Sequence, residues 1–246
     1  MRCDDGGYYV VKFQNNPQHV RILVNEFLGT RLAARLGLPT PHVAVTEVPE
    51  DLVRATAELV IELGMSRIPC KAGFQFGSRY PGDPAELVVH DFLPDQQLRT
   101  AENVRDFAGM LVFDKWVCNT NGRQAIFFLE PDRSQYRALM IDQGFCFNAG
   151  EWNFPDAPLR GLYLRQSVYE SVTSMESFEP WLERLEKQIT RDVLDEVAEA
   201  IPPEWYHFDQ DALFRLLDEL FRRRKRVPDL ILETKNTERQ PFPNWK

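Results

Sequence analysis

The chain changes character at Leu93-Pro94, and that change limits the folds open to it more than any single motif does. Before this point the residues are strand-prone around one embedded helix; beyond it they turn helical almost to the end. Residues 8–13 set Val10 and Val11 between aromatics after the turn signal Asp5-Gly6-Gly7, which predicts a strand following a hairpin turn. Val20, Leu23, Val24, Phe27, Leu28, Leu32 and Leu36 then recur at three- and four-residue steps until Gly37 and Pro39 end the pattern, so an amphipathic helix is expected from about Pro17. Residues 41–48 read as a strand, 51–63 as either helix or strand, 73–84 as a Gly-, Pro- and Ser-bearing loop, and 86–92 as a short apolar strand. Past Pro94, helical spacing over 102–116 runs into a polar turn at 119–124. Two strands follow at 125–129 and 136–141, and helices at 178–189, 193–201 and 211–224. This segregation gives an α+β fold of two unequal lobes. Residues 1–94 form a lobe of strands plus one long helix, 95–234 a larger helical lobe with an inserted hairpin, and 235–246 a loosely ordered polar tail.

A chain of 246 residues, 43% of them hydrophobic, buries enough core for one bilobal domain or two small ones. Its 29 basic and 37 acidic residues leave a net charge of -8, which argues against broad attraction to DNA, RNA or an anionic membrane. Cys3, Cys70, Cys118 and Cys146 are widely spaced and mostly within apolar stretches, as expected of reduced thiols in a cytoplasmic protein. There is no apolar run of about 18 residues, and Asp4 and Asp5 break any secretion-signal layout, so neither a membrane span nor export is expected. The oligomeric state is not encoded legibly.

Three residues carry the chemistry. Lys12 ends a strand-prone run and Glu26 lies midway in the following helix, the pairing that phosphoryl-transfer enzymes use to grip nucleotide phosphates and fix the gripping lysine. A surface lysine beside a solvated glutamate fits the same spacing. Asp142 is delivered from the apolar run Ala138-Leu139-Met140-Ile141 straight into Gln143-Gly144, where a carboxylate can reach a phosphate-bridging Mg²⁺. A simple turn-forming Asp-x-Gly is the alternative. No Gly-x-Gly-x-x-Gly, Walker loop, Gly-x-Ser-x-Gly or paired-histidine motif is present, which removes most other enzyme classes.

Read in order, Tyr9-Val10-Val11-Lys12-Phe13-Gln14-Asn15, Val24-Asn25-Glu26, Leu36-Gly37-Leu38-Pro39, Phe113-Asp114-Lys115-Trp116 before Asn119-Thr120, and Ile141-Asp142-Gln143-Gly144 resemble the HipA-like kinase family over residues 8–235. The resemblance implies a protein-kinase-like fold, Mg-ATP as nucleotide and metal, and a serine or threonine of a protein substrate as acceptor. It implies that Lys12 grips phosphate, Glu26 is its helical partner and Asp142 binds metal. Val89 and Asp91, in a connector over residues 89–93, would border the nucleotide, and Asn119 would join Asp142 at the metal.

Two departures from the family pattern stand out. Where that pattern has Asn-Thr-Asp and, five residues on, Asn, this chain has Asn121 and Ile126. An amide accepts no proton and isoleucine binds no metal, so catalysis would fall to Asn121 and to Arg123 as a phosphate or substrate contact. That opens a second reading, a pseudokinase that holds nucleotide without efficient transfer. The other departure is at the start, where only Gly6-Gly7 supply the glycine hairpin expected before the lysine strand. The basic run 222–226 reads as a solvated helix end, and Trp152, Phe154, Trp181, Trp205 and Tyr206 as packing residues.

Overall fold

The computed structural model describes residues 1–246. The small lobe is built on a three-stranded antiparallel sheet of order β1-β5-β2, from β1 (Tyr9–Lys12), β2 (Val43–Val48) and β5 (Gly73–Arg79). Between β1 and β2 runs α1 (Ile22–Arg35). The connection from β2 to β5 holds α2 (Glu50–Ala55) and an outlying hairpin of β3 (Val60–Leu63) and β4 (Ser66–Pro69), so the ambiguous stretch 51–63 contains both a helix and a strand. β6 (Val89–His90) is all the structure keeps of the strand expected over 86–92, and it joins β7 (Gln124–Phe128) and β8 (Arg137–Ile141) in a second antiparallel sheet. The larger lobe adds α3 (Asp95–Arg99), α4 (Asp106–Trp116), α5 (Glu179–Gln188), α6 (Arg191–Glu199), α7 (Gln210–Arg223) and α8 (Val227–Lys235).

α1 is the element around which both lobes assemble. Eleven of its fourteen residues are buried, on all sides, because the sheet covers one face and the β8 exit with the rear helices covers the others. A helix surrounded in this way needs apolar residues beyond one stripe, and Ile22, Leu23, Val24, Phe27 and Leu28 supply them. The close approach is set at Gly29, where a Cβ would lie 2.9 Å from the Cβ of Gln143. The helix starts at Ile22 rather than near Pro17, as residues 17–21 form turns.

The stretch 73–84, expected as loop, contains the central strand β5. Its glycine misleads the sequence pattern yet is required: at Gly77 a Cβ would meet Thr46 Oγ1 of β2 at 2.3 Å. Gln75 and Phe76 are buried within it, and every residue of β5 has a partner on β1 or β2. A strand paired on both sides gains ladder hydrogen bonds that local propensity does not count.

The rear helices form one core with α1 and α4. Thr190 Oγ1 caps α6 by accepting from Val193 N, and Asp209 caps α7 by accepting from Ala212 N. Arg223 corrects the picture of a solvated basic run: it is buried, donates to the carbonyls of Lys115 and Trp116 and pairs with Asp156. The tail is likewise not loose. Phe242 is buried, with its ring 5.4 Å from Tyr169 and 5.5 Å from Phe178, and Trp245 stacks alongside. All four cysteines are free thiols, and no helix is long and apolar enough to cross a membrane.

Candidate active site

Lys12 is the last residue of β1, Glu26 lies in the first half of α1, and Asp142 follows the last residue of β8. Three separate elements thus converge on one ammonium. Lys12 Nζ donates to Glu26 Oε1 and to Asp142 Oδ1, the latter at 2.8 Å. Glu26 also accepts from two backbone amides of the β8 exit, Gln143 N to Oε2 at 2.9 Å and Gly144 N to Oε1 at 3.0 Å. The alternative of a surface lysine and a solvated glutamate is therefore excluded, since the Glu26 side chain is only 3% exposed.

The electrostatics follow from this geometry. Burial by itself lowers the pKa of Lys12, but the carboxylates of Glu26 and Asp142 more than reverse it and hold the ammonium above its usual value. Burial raises Glu26, against the opposing pull of Lys12. Burial also raises Asp142, yet Lys12 outweighs it and the carboxyl ends below its ordinary value. Asp142 has φ of +60°, a left-handed conformation that aspartate tolerates better than most residues and that is held here by the bonds at its side chain.

Asn25, beside Glu26, organises the backbone turns after Asp142. Its Nδ2 donates to the carbonyls of Gly144, Cys146 and Ala149 at 2.8 to 2.9 Å, and Trp152 Nε1 donates to its Oδ1 at 2.9 Å. Those bonds span Phe147, Asn148 and Ala149, three successive residues with positive φ. His19 Nε2 donates to Gly144 O at 2.8 Å while its Nδ1 accepts from Arg21 N, which fixes a neutral tautomer; burial lowers its pKa accordingly.

The loop between α4 and β7 departs from expectation. Arg123 has a fully buried side chain, paired with Asp114 of α4 and donating to Ile141 O and Gln143 Oε1. Its donors are spent inside the protein, so it positions the loop against β8 and does not reach phosphate or substrate. Asn119 is also buried, with Nδ2 donating to Asp114 Oδ1 at 3.0 Å and Oδ1 accepting from Asn121 N at 3.1 Å. Both ends of that amide bond within the α4-β7 loop, and the side chain does not line the cavity at Asp142 where a metal ligand was expected. Asn121 is exposed at the loop tip, with Oδ1 accepting from Gly122 N.

A cavity of about 370 Å³ opens beside Lys12 and Asp142. Val10 and Phe76 of the small sheet, Val89 of β6, and Ile126 and Ile141 of the β7-β8 hairpin give it apolar walls, while Lys12, Glu26 and Asp142 charge one end. Small-ligand sites have this size and this mixture of apolar wall and few polar anchors. Asp91 is exposed and outside the cavity, unlike Val89. Sequence reasoning missed Gln124, whose Nε2 donates to Asp142 Oδ2 at 2.8 Å. It lies two residues before Ile126 on β7, and strand alternation puts both on one face.

No cluster of three His, Cys, Asp or Glu side chains that would cage a metal is present. A divalent cation that keeps its waters and leans on phosphate oxygens needs only one or two protein oxygens. The Asp142 carboxylate at the charged end of the cavity suits that role.

Two unequal lobes that meet over a lysine of the small sheet and an aspartate at a hairpin exit define a protein-kinase-like fold, and solved proteins of that fold align along nearly the whole chain. The chain belongs to the HipA-like kinase family, whose profile matches residues 1–227. It is similar to the Helicobacter pylori proinflammatory kinase CtkA at 13% identity and a TM-score of 0.54, covering 96% of this chain and 91% of that one. HipA of Shewanella oneidensis MR-1, solved with HipB and operator DNA, aligns at 13% identity and a TM-score of 0.51, over 94% of this chain and 61% of that one. The Golgi casein kinase with Mn/ADP bound aligns at 11% identity and a TM-score of 0.50, over 96% and 70%. No curated protein sequence matches the chain.

Proposed function

We propose that the protein is a serine/threonine protein kinase of the HipA-like type, using Mg-ATP and acting in the cytoplasm. The observation that carries this is the bridging of Glu26 and Asp142 by one lysine ammonium at the charged end of an apolar-walled cavity. In this reading Val10, Phe76 and Ile126 receive the base, Lys12 holds phosphate oxygens, and Glu26 keeps Lys12 in place. Asp142 would hold Mg²⁺, whose contribution is to neutralise charge between the phosphates. The Golgi casein kinase structure with Mn/ADP lends support by analogy of fold. The net charge of -8 gives no reason to add a nucleic-acid partner.

In this reading Asn121, which takes the place of the aspartate in the family pattern, would face the acceptor hydroxyl where a base is needed. An amide can orient a hydroxyl but cannot take its proton, and a general base is worth about 10²- to 10⁴-fold. Transfer by this chain is therefore expected to be slow. Incubation with γ-labelled ATP and Mg²⁺ should label the protein itself or an added protein on serine or threonine, the label should vanish in Asp142→Ala, and Asn121→Asp should raise the rate by about 10²-fold. Equal labelling of wild type and Asp142→Ala would overturn the proposal. A second reading, a pseudokinase that holds nucleotide and transfers nothing, is favoured by Asn121 together with Ile126; it predicts ATP binding with no labelling even in Asn121→Asp.

A further inference from the structure

We infer that Gln124 is a ligand for the nucleotide's divalent cation, its side-chain carbonyl oxygen filling the place beside Asp142 that Ile126 leaves without a donor. This rests on the nucleotide and metal reading above and adds a residue to it.

The β7-β8 hairpin presents four side chains to the cavity: Gln124, Ile126, Ile141 and Asp142. Gln124 and Ile126 share one face of β7, and Gln124 is paired in register with Ile141, next to Asp142. Among these four, Gln124 is the neutral side chain that can offer an oxygen. Glu26, the other carboxylate bonded to Lys12, already accepts from Lys12 and two backbone amides.

The two carboxylate oxygens of Asp142 differ in a telling way. Oδ1 accepts from Lys12, whereas Oδ2 accepts from Gln124 Nε2 at 2.8 Å. The Gln124 amide therefore already sits one hydrogen bond from the oxygen that has no cationic partner. Rotation of the terminal amide by a half-turn exchanges its nitrogen for its oxygen with no movement of the strand. One side chain thereby serves two states, donating to Asp142 in the metal-free protein and facing the cation with its oxygen in the loaded one. A carboxamide oxygen is a hard donor of the kind that Mg²⁺ and Mn²⁺ accept. Because it is neutral, the protein's own share of the binding charge is confined to Asp142, so the cation should bind with nucleotide far better than alone.

Calorimetric titration of ADP into the full chain, with and without Mn²⁺, separates the outcomes. Wild type should bind ADP more tightly with Mn²⁺, and Asp142→Asn should lose that gain. Gln124→Ala should weaken binding with Mn²⁺ about tenfold more than it weakens metal-free binding. Gln124→Glu should restore or exceed wild-type Mn²⁺ dependence, whereas a side chain that merely props Asp142 by donating to it would fail when made anionic. If Asp142→Asn abolishes the Mn²⁺ effect but Gln124→Ala does not, or if Gln124→Glu is as weak as Gln124→Ala, this inference is wrong while the nucleotide reading stands. If wild type binds ADP identically with and without Mn²⁺, or not at all, both fall. Gln124 is exposed, so the unfolding curve of Gln124→Ala should overlay that of wild type.

Discussion

Lys12 holds two carboxylates at once, and its removal leaves an asymmetric penalty. Glu26 stays buried with only two backbone amides to hold it, so Lys12→Met should destabilise the fold by about 2 kcal/mol, less than a wholly buried pair because Lys12 is partly solvated. Urea unfolding measures this, and an unchanged midpoint would contradict the pairing. The pH dependence has a fixed sign. Asp142 has a folded pKa below its ordinary 3.8, so its stabilising share is fully present above that value and is lost as pH falls through the lower folded one. The difference in unfolding free energy between wild type and Asp142→Asn should therefore stay flat from pH 7 to about pH 5 and shrink only in more acid solution; shrinkage already near pH 6 would refute it. The positions of Lys12 at a strand end, Glu26 within a helix and Asp142 at a hairpin exit were legible in the sequence because each sits at a patterned element. Arg123 and Asn119 are buried rather than turned to a ligand, since a polar loop reads as accessible until the buried Asp114 that claims both side chains is known, and Asp91 lies outside the cavity that Val89 lines.

Between residue and lobe, the α4-loop-β7 unit is locked by Asp114 and Arg123, both with fully buried side chains. Breaking such a pair leaves a charge without compensation, so Arg123→Met should cost about 3 to 5 kcal/mol. Adding Asp114→Leu should recover much of that loss, because the second change removes the stranded carboxylate. Non-recovery in the double variant would show that the loop geometry, not the charge, is what the pair supplies. At this scale the sequence predicts α1, α4, β7, β8 and the rear helices through their apolar periods. β5 and α8 escaped. β5 is marked by glycine that serves close strand packing, and α8 has Pro228 as its second residue, a type that signals a stop when met within a pattern but is tolerated in a first turn.

The two lobes are joined by α1 as much as by the connector, since its buried faces contact the small sheet, the β8 exit and the rear helices. Changes in the rear lobe should therefore reach the cavity through α1, through the α4 loop, and through Trp205, whose Nε1 donates to Phe74 O of β5. The tail closes the rear lobe by inserting Phe242 against Tyr169 and Phe178, a role that polar composition concealed. Phe242→Ala should cost about 3 kcal/mol in urea unfolding without altering nucleotide affinity; a loss below about 0.5 kcal/mol, the size expected of an ordinary surface change, would mean that the tail is not docked. The lobes meet over the Lys12 bridge, and there the proposed nucleotide and metal site lies. Titrating Mg-ATP into wild type, Lys12→Met and Asp142→Asn tests it directly: saturable binding in wild type, weakened at least tenfold in both variants, is the predicted result, and equal affinity in all three would contradict the account.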